Sequence, residues 1–458
     1  MDQTTARIVE FVSGLTLDHL SSRGIHQAKR QLVDSLGCAV GAIDSAPAQI
    51  ARSLARDVTG ALSATVIGLP QRTSVEMATF TNTVMVRYLD YNDYFRSSRG
   101  SGGHPSDLIP TALAVGQSLG SSGSDVVLSI VTGYEVAGAL LGAATLRERG
   151  WDQGLCIAAA SAVTAGKLLG LSRTQLGHAV SLAVTPNVPT RQTRVGELSM
   201  WKGCATAGAA KNGVFAALLA SRGMTGPPDP FEGLDGIWQL VTGPFQLELT
   251  IQPPVFVIEQ IHTKFRPADY QAQGPVELIL SMRDRFDIDD VDRIHVETYW
   301  LAYSENGSEP AKWDPQTRET ADHSLPYLLA TALVDGEVGL QTFTSERILD
   351  PKLRPLMNRI HIAERAEFTQ RFPEEFMCRI SVGLRTGGRI TEEIAYPRGH
   401  VRNPLTDGEI DQKFDRLVRE RGEADAGLCR QVRGALWTLE TASNVSAVLE
   451  PLGELHTV

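Results

Sequence analysis

Between Tyr88 and Asp107 the chain gathers Asp90, Asp93, Tyr94 and His104 around the loop Arg96-Ser-Ser-Arg-Gly-Ser-Gly-Gly103. Carboxylates beside a histidine can remove and return a proton, and glycine lets backbone bend sharply or approach a ligand closely. Asp90 and Asp93 are three apart, so on a helix they share a face. Adjacent carboxylates raise one another's pKa, which prepares one of them for acid or base work. The plain alternative is a helix C-terminus with solvated acids and a capping histidine.

Three more segments hold more reactive groups than their surroundings require. In Arg191-Gln-Thr-Arg-Val-Gly-Glu-Leu-Ser-Met-Trp-Lys-Gly203, Arg194 and Lys202 bracket a polar loop before a small-residue helix. A guanidinium fork and an ammonium beside a helix N-terminus suit a polyanionic small molecule; ordinary surface cations are the competing reading. Lys264 and Arg266 lie in His262-Thr-Lys-Phe-Arg-Pro267, where the texture of the chain changes. Domain boundaries favour clefts, although a hinge with exposed basic residues has the same composition. In Thr317-Arg-Glu-Thr-Ala-Asp-His-Ser-Leu-Pro-Tyr327, His323 suits general acid or base work and Tyr327 proton donation. An Asp-His pair at a helix start also reads as a cap with a satisfied histidine. Gly116-Gln-Ser-Leu-Gly120 matches a nucleophile elbow by letter, but that motif needs a strand before the serine. Pro110 to Leu119 reads as a helix, so the match is set aside.

These groups need a scaffold, and the chain reads as mainly α. Ile25, Ala28, Leu32, Leu36 and Val40 recur at helical spacing, with Lys29, Arg30 and Asp34 on other faces. Residues 110–120 open with Pro110, a favoured first-turn residue, and segments 126–145, 156–170 and 204–221 are rich in small residues that let helices pack closely, which predicts a tight all-helical domain. Proline and glycine punctuate 222–254. Beyond about residue 265 strands are expected at 293–298 and 378–384, then a Gly387-Gly388 hairpin into a third strand, with a helix at 319–335. The last fifty residues are helical again from a Thr406 cap-like start. The predicted division is a helical domain from both chain ends, 1–262 and 400–458, with an inserted α+β domain at 263–399.

The 458 residues, 42% hydrophobic and 21% charged, suit a globular protein of two domains. A net charge of −10 argues against a nucleic-acid or anionic-membrane surface. No uninterrupted apolar run approaches the roughly 18 residues of a membrane helix, and the N-terminus lacks a signal-peptide layout. Cys38, Cys156, Cys204, Cys378 and Cys429 are far apart, which fits buried thiols in a reducing compartment. A cytoplasmic enzyme is the expectation.

Taken together, Tyr-Leu-Asp-Tyr-Asn-Asp, Gly-His-Pro-Ser-Asp, Met-Trp-Lys-Gly, Met-Thr-Gly-Pro with Phe231-Glu-Gly, Ala-Asp-His-Ser-Leu-Pro-Tyr and Gly399-His-Val-Arg-Asn-Pro-Leu-Thr406 with Lys413-Phe414 resemble the MmgE/PrpD family over nearly the whole chain. The resemblance implies a large helical domain with a smaller α+β lid, a homodimer, and no metal or organic cofactor. It implies proton transfer beside a carboxylate of a small di- or tricarboxylate. A 2-methylcitrate dehydratase-like hydro-lyase leads, with a cis-aconitate-type decarboxylase or an iminodisuccinate-type epimerase as alternatives. By motif it makes Asp90, His104, Lys202, Lys264 and Tyr327 catalytic. Asp93, Tyr94, Gln153, Arg194, Arg266, Gln271 and His323 are then the substrate-binding side chains. Tyr94 stands where many relatives have threonine. Gln153 and Gln271 stand where histidine is common, and glutamine hydrogen-bonds without carrying a proton, which keeps the isomerase role open. A non-enzymatic helical binding protein is the remaining alternative.

Overall fold

The computed structural model describes residues 1–97, 101–422 and 425–457. Residues 98–100, in the middle of the glycine-rich loop, lie outside that description. The chain forms two compact units. The first comprises Met1–Arg191, Gly203–Ile261 and Thr406–Val458; the second comprises Gln192–Lys202 and His262–Leu405. Residues 192–202, 262 and 400–405, expected with the helical domain, therefore group with the second unit.

Helices dominate the first unit, and their ends follow local chemistry. Ser22–Gly41 starts where the Ser21 side chain accepts the Gly24 N–H, and buries a face from Ala28 to Val40. Asp34 belongs to the buried side as well. Gly154–Leu168 and Ala205–Ser221 pack so closely that a Cβ on Gly213 would stand 2.5 Å from the Ala158 carbonyl oxygen. Small residues there serve packing, as their abundance predicts. Asp407–Arg421 opens on a reciprocal cap between Thr406 and Glu409. Gly116 to Leu119 is helical and Gly120 ends that helix with a φ of 65°, so Ser118 sits on no elbow. Helix Gly123–Ala143 is long and apolar enough to cross a bilayer, and most of it is buried inside the structure.

The unit is not all-helical. β1 (Ser63–Val66) and β2 (Leu69–Ser74) form a hairpin, and β3 (Phe95–Arg96) pairs with β4 (Gly102–Gly103). Both ladders are too short to leave a period in the sequence.

The second unit holds β5 (Val291–Thr298), β6 (Ile360–Glu364), β7 (Cys378–Leu384) and β8 (Arg389–Ile394), in the sheet order β6-β5-β7-β8. β5 runs parallel to β6 and antiparallel to β7, with Ile294 opposite both Ile360 and Val382. β6 was not expected; five residues without turn punctuation give little signal. Alternate residues of β5 and β7 face a core completed by helices Gln273–Met282 and Leu325–Asp335. The expected helix 319–335 is broken: Arg318–Ala321 stops and Leu325 restarts under a Ser324 cap. That break presents Asp322 and His323.

Candidate functional site

In the first unit, helix Val75–Tyr88 carries Arg87 in its last turn, and the chain then leaves the helix. Asp90 has a φ of 50°, alone among the described non-glycine residues in the left-handed region. Aspartate tolerates that region because its short side chain bonds locally. Here the Asp90 N–H donates to the Arg87 carbonyl at 3.1 Å, and Arg87 Nη1 donates to Asp90 Oδ1 at 2.5 Å. Asp90 and Asp93 therefore share no helical face, because the helix ends before either is reached.

His104 meets the same guanidinium, with Nε2 3.1 Å from Arg87 Nη2. Its Nδ1 is 2.6 Å from the Asp93 carbonyl oxygen. A carbonyl only accepts, so Nδ1 bears the hydrogen and Nε2 is left as an acceptor facing Arg87. Gln153 Oε1 accepts the His104 N–H at 2.8 Å. A Cβ on Gly103 would come within 2.3 Å of that Oε1, so the amide reaches His104 only past a glycine. Gln153 thus orients the histidine without titrating. Tyr94 is buried with its ring 5.8 Å from the imidazole.

Asp93 points elsewhere. It accepts the Ser106 hydroxyl at 2.6 Å, the Ser106 N–H at 3.1 Å and the Tyr134 hydroxyl at 3.1 Å. Burial pushes its carboxyl up to about 7; the Ser106 bonds oppose that rise and the Asp107 charge adds to it. The carboxylate that adds to this rise is Asp107, and not Asp90 as the spacing suggested.

In the second unit the loop 192–202 is strapped to the broken helix. The Leu198 N–H donates to Thr320 Oγ1 at 3.0 Å, and Thr317 Oγ1 donates to the Leu198 carbonyl at 2.9 Å. Arg194 Nη1 donates to the Lys202 carbonyl at 2.8 Å. Lys202 is buried and donates to both Asp322 oxygens, at 2.7 and 2.8 Å. Asp322 Oδ1 also receives His323 Nδ1 at 2.6 Å, and His323 Nε2 lies 3.7 Å from Asp269 Oδ1. Asp269 Oδ2 is held by Asn306 Nδ2 at 2.8 Å and the Gln271 N–H at 3.1 Å. Gln271 Oε1 accepts the Tyr299 hydroxyl at 3.2 Å. Lys202 and Lys264 are both buried, so neither is a surface cation. Arg266 is half-buried, with its guanidinium 5.1 Å from the Phe265 ring centroid.

Tyr327 is set apart from these groups. It belongs to the apolar core of the second unit, and its hydroxyl donates to the Thr342 carbonyl. Sequence reasoning missed Arg87, Asp269 and Asp322. Arg87 is three residues before Asp90, a spacing that flags an ion pair across a turn. Asp322 was visible beside His323, but Lys202, 120 residues earlier, leaves no sequence trace of the pairing.

Residues 6–250 match the MmgE/PrpD N-terminal domain and residues 267–438 the MmgE/PrpD C-terminal domain. The cis-aconitate decarboxylase of Mus musculus is 25% identical, across 100% of this chain and 92% of its own. The mitochondrial 2-methylcitrate dehydratase of Yarrowia lipolytica is 24% identical, across 92% of this chain and 84% of its own. The 2-methylcitrate dehydratase of Escherichia coli (strain K12) is 24% identical, across 88% and 86%. With both domains matched in order along most of its length, the chain belongs to the MmgE/PrpD family.

Proposed function

We propose that the chain is a lyase that moves a proton beside a carboxylate of a small polycarboxylate, with dehydration of a 2-methylcitrate-like substrate as the leading reaction. The observation that carries this reading is His104, whose Nδ1 is tied to the Asp93 carbonyl while Nε2 faces Arg87. A histidine fixed in this tautomer offers one defined basic nitrogen. A substrate carboxylate that draws the Arg87 fork to itself frees Nε2 to take a proton. Asp90 keeps the guanidinium in place from the other side. The enolate-like charge left by proton removal needs fixed donors, and the Arg87 guanidinium is one already held in place by Asp90. In the second unit, His323 is a separate imidazole, oriented through Nδ1 by Asp322.

Decarboxylation of a cis-aconitate-like acid is the second reading. The decarboxylase from Mus musculus aligns with all of this chain, and Gln153 and Gln271 remove two proton carriers from the motif pattern. Purified protein should be incubated separately with 2-methylcitrate, citrate and cis-aconitate. Alkene absorbance in the ultraviolet, carbon dioxide release and solvent deuterium exchange should be followed together. Alkene formation from a hydroxy acid supports the dehydratase; carbon dioxide from the alkene supports the decarboxylase. Silence in all three assays at high enzyme concentration overturns both. Whichever activity appears, His104→Ala is expected to lower turnover about 10²- to 10⁴-fold.

A further inference from the structure

The Asp90 turn is clamped from a part of the chain more than three hundred residues away. Helix Asp407–Arg421 buries Ile410, Lys413, Phe414, Leu417 and Val418. It lies on helix Ser22–Gly41 so closely that a Cβ on Gly37 would stand 3.0 Å from the Phe414 ring. Apolar side chains suffice for such packing, yet the centre of this face is a lysine. Lys413 Nζ stands 2.6 Å from Asp34 Oδ1, donates to the Tyr91 carbonyl at 2.6 Å, and lies 3.9 Å from the centroid of the Tyr91 ring. Arg416 holds the Tyr91 hydroxyl from the same helix. Burial works against the ammonium charge, and the surrounding groups, Asp34 first among them, together more than offset it, so the lysine stays protonated.

Tyr91 follows Asp90, and Asp93, whose carbonyl fixes the His104 tautomer, is two residues further on. A left-handed aspartate is strained backbone that persists only where its surroundings over-determine it. Arg87 grips the turn at the Asp90 carboxylate and backbone, and Lys413 grips it at the next carbonyl. From this we infer that Lys413, paired with Asp34, is a positioning residue that holds the Asp90–Asp93 turn and thereby the His104 tautomer. Its consequence for turnover rests on the lyase reading above; its consequence for the imidazole does not.

Lys413→Met alone strands the Asp34 carboxylate and is prone to unfold, so the informative protein is Lys413→Met with Asp34→Asn, which removes both charges at similar volume. Histidine-selective ¹⁵N NMR of the full chain reads the ring, with His104→Ala locating its signals. The expected result is a folded double variant in which His104 loses its single Nδ1–H tautomer. If the substrate assay succeeds, kcat should drop about tenfold to a hundredfold with KM within about twofold, as misplacement of a reacting group does. Lys413→Arg, which keeps a cation in reach of the carbonyl, should restore part of the loss. An unchanged His104 tautomer in the folded double variant overturns the inference. A changed tautomer in a chain that turns over none of the acids leaves the inference standing and removes the lyase reading instead.

Discussion

In the helical unit Asp93 is an acid pushed up to about 7 by burial. In the second unit His400 is a base pushed down to about 4, by burial first and by Arg402 second. One cause moves the two groups in opposite directions, because burial penalises whichever form is charged. The surroundings differ in how that penalty is met. Around the Asp90 turn, Arg87 and Lys413 serve Asp34, Asp90 and Asp107, and Asp93 is left with neutral donors from Ser106 and Tyr134. His400 packs against His262, Phe376 and Tyr396, with its Nδ1 accepting the Arg402 N–H at 3.0 Å. His262, bonded to Tyr270, is held well below its ordinary range as well. The second unit's buried Asp322, by contrast, has both oxygens on Lys202. Buried polar clusters in one chain are thus matched to different degrees, and the poorly matched ones set the pH response.

The largest effect expected from that contrast belongs to Asp93. Its folded pKa lies above the unfolded 3.8, so the folded chain keeps a proton that the unfolded chain loses. Stability should therefore fall as pH rises from 3.8 to about 7 and then level, by about 4 kcal/mol from this group. Asp93→Asn keeps an acceptor for Ser106 and should remove that fall. Urea unfolding of both proteins at pH 5, 6, 7 and 8 checks it, and parallel profiles would break the contrast. His400 carries the opposite sign. Its folded pKa lies below the unfolded 6.5, so stability is full above 6.5 and is lost as pH falls towards about 4, by about 3 kcal/mol. His400→Gln should flatten the acid limb of the unfolding midpoint measured between pH 7 and pH 4, and leave the alkaline limb as it was.

The smallest effect separates core from site within the second unit. Tyr327→Phe deletes one hydroxyl bond to Thr342 and should cost about 1 kcal/mol in thermal or urea unfolding. Turnover should remain within about twofold, as expected of a group whose hydroxyl serves the fold rather than the reaction. A hundredfold loss of turnover would return Tyr327 to the catalytic residues.

Much of the scaffold was legible because its signals are local. Helix Asp407–Arg421 begins at a Thr406 cap, the 154–168 and 205–221 helices announce close packing through small residues, and β7 alternates at period two. The failures share a cause too. β3 and β4 pair over two residues, β6 lacks punctuation, and residues 192–202 belong with the second unit through bonds to Thr317 and Thr320 more than a hundred positions on.

The candidate residues divide along the same line. His104, Lys202, Lys264 and His323 were singled out by residue type and company in polar segments, and only the structure showed that all four are buried. Residue chemistry and motif order by themselves determined the family, the helical character and the acid–base class of the candidate groups. The tertiary structure alone decided that Asp90 turns left-handed onto Arg87, that Asp93 answers to Asp107, that Lys202 is bound to Asp322, and that Tyr327 belongs to a core. Each of those outcomes is a contact between segments distant along the chain or a change of backbone direction within one turn. Neither leaves a periodicity or a composition for the sequence to display.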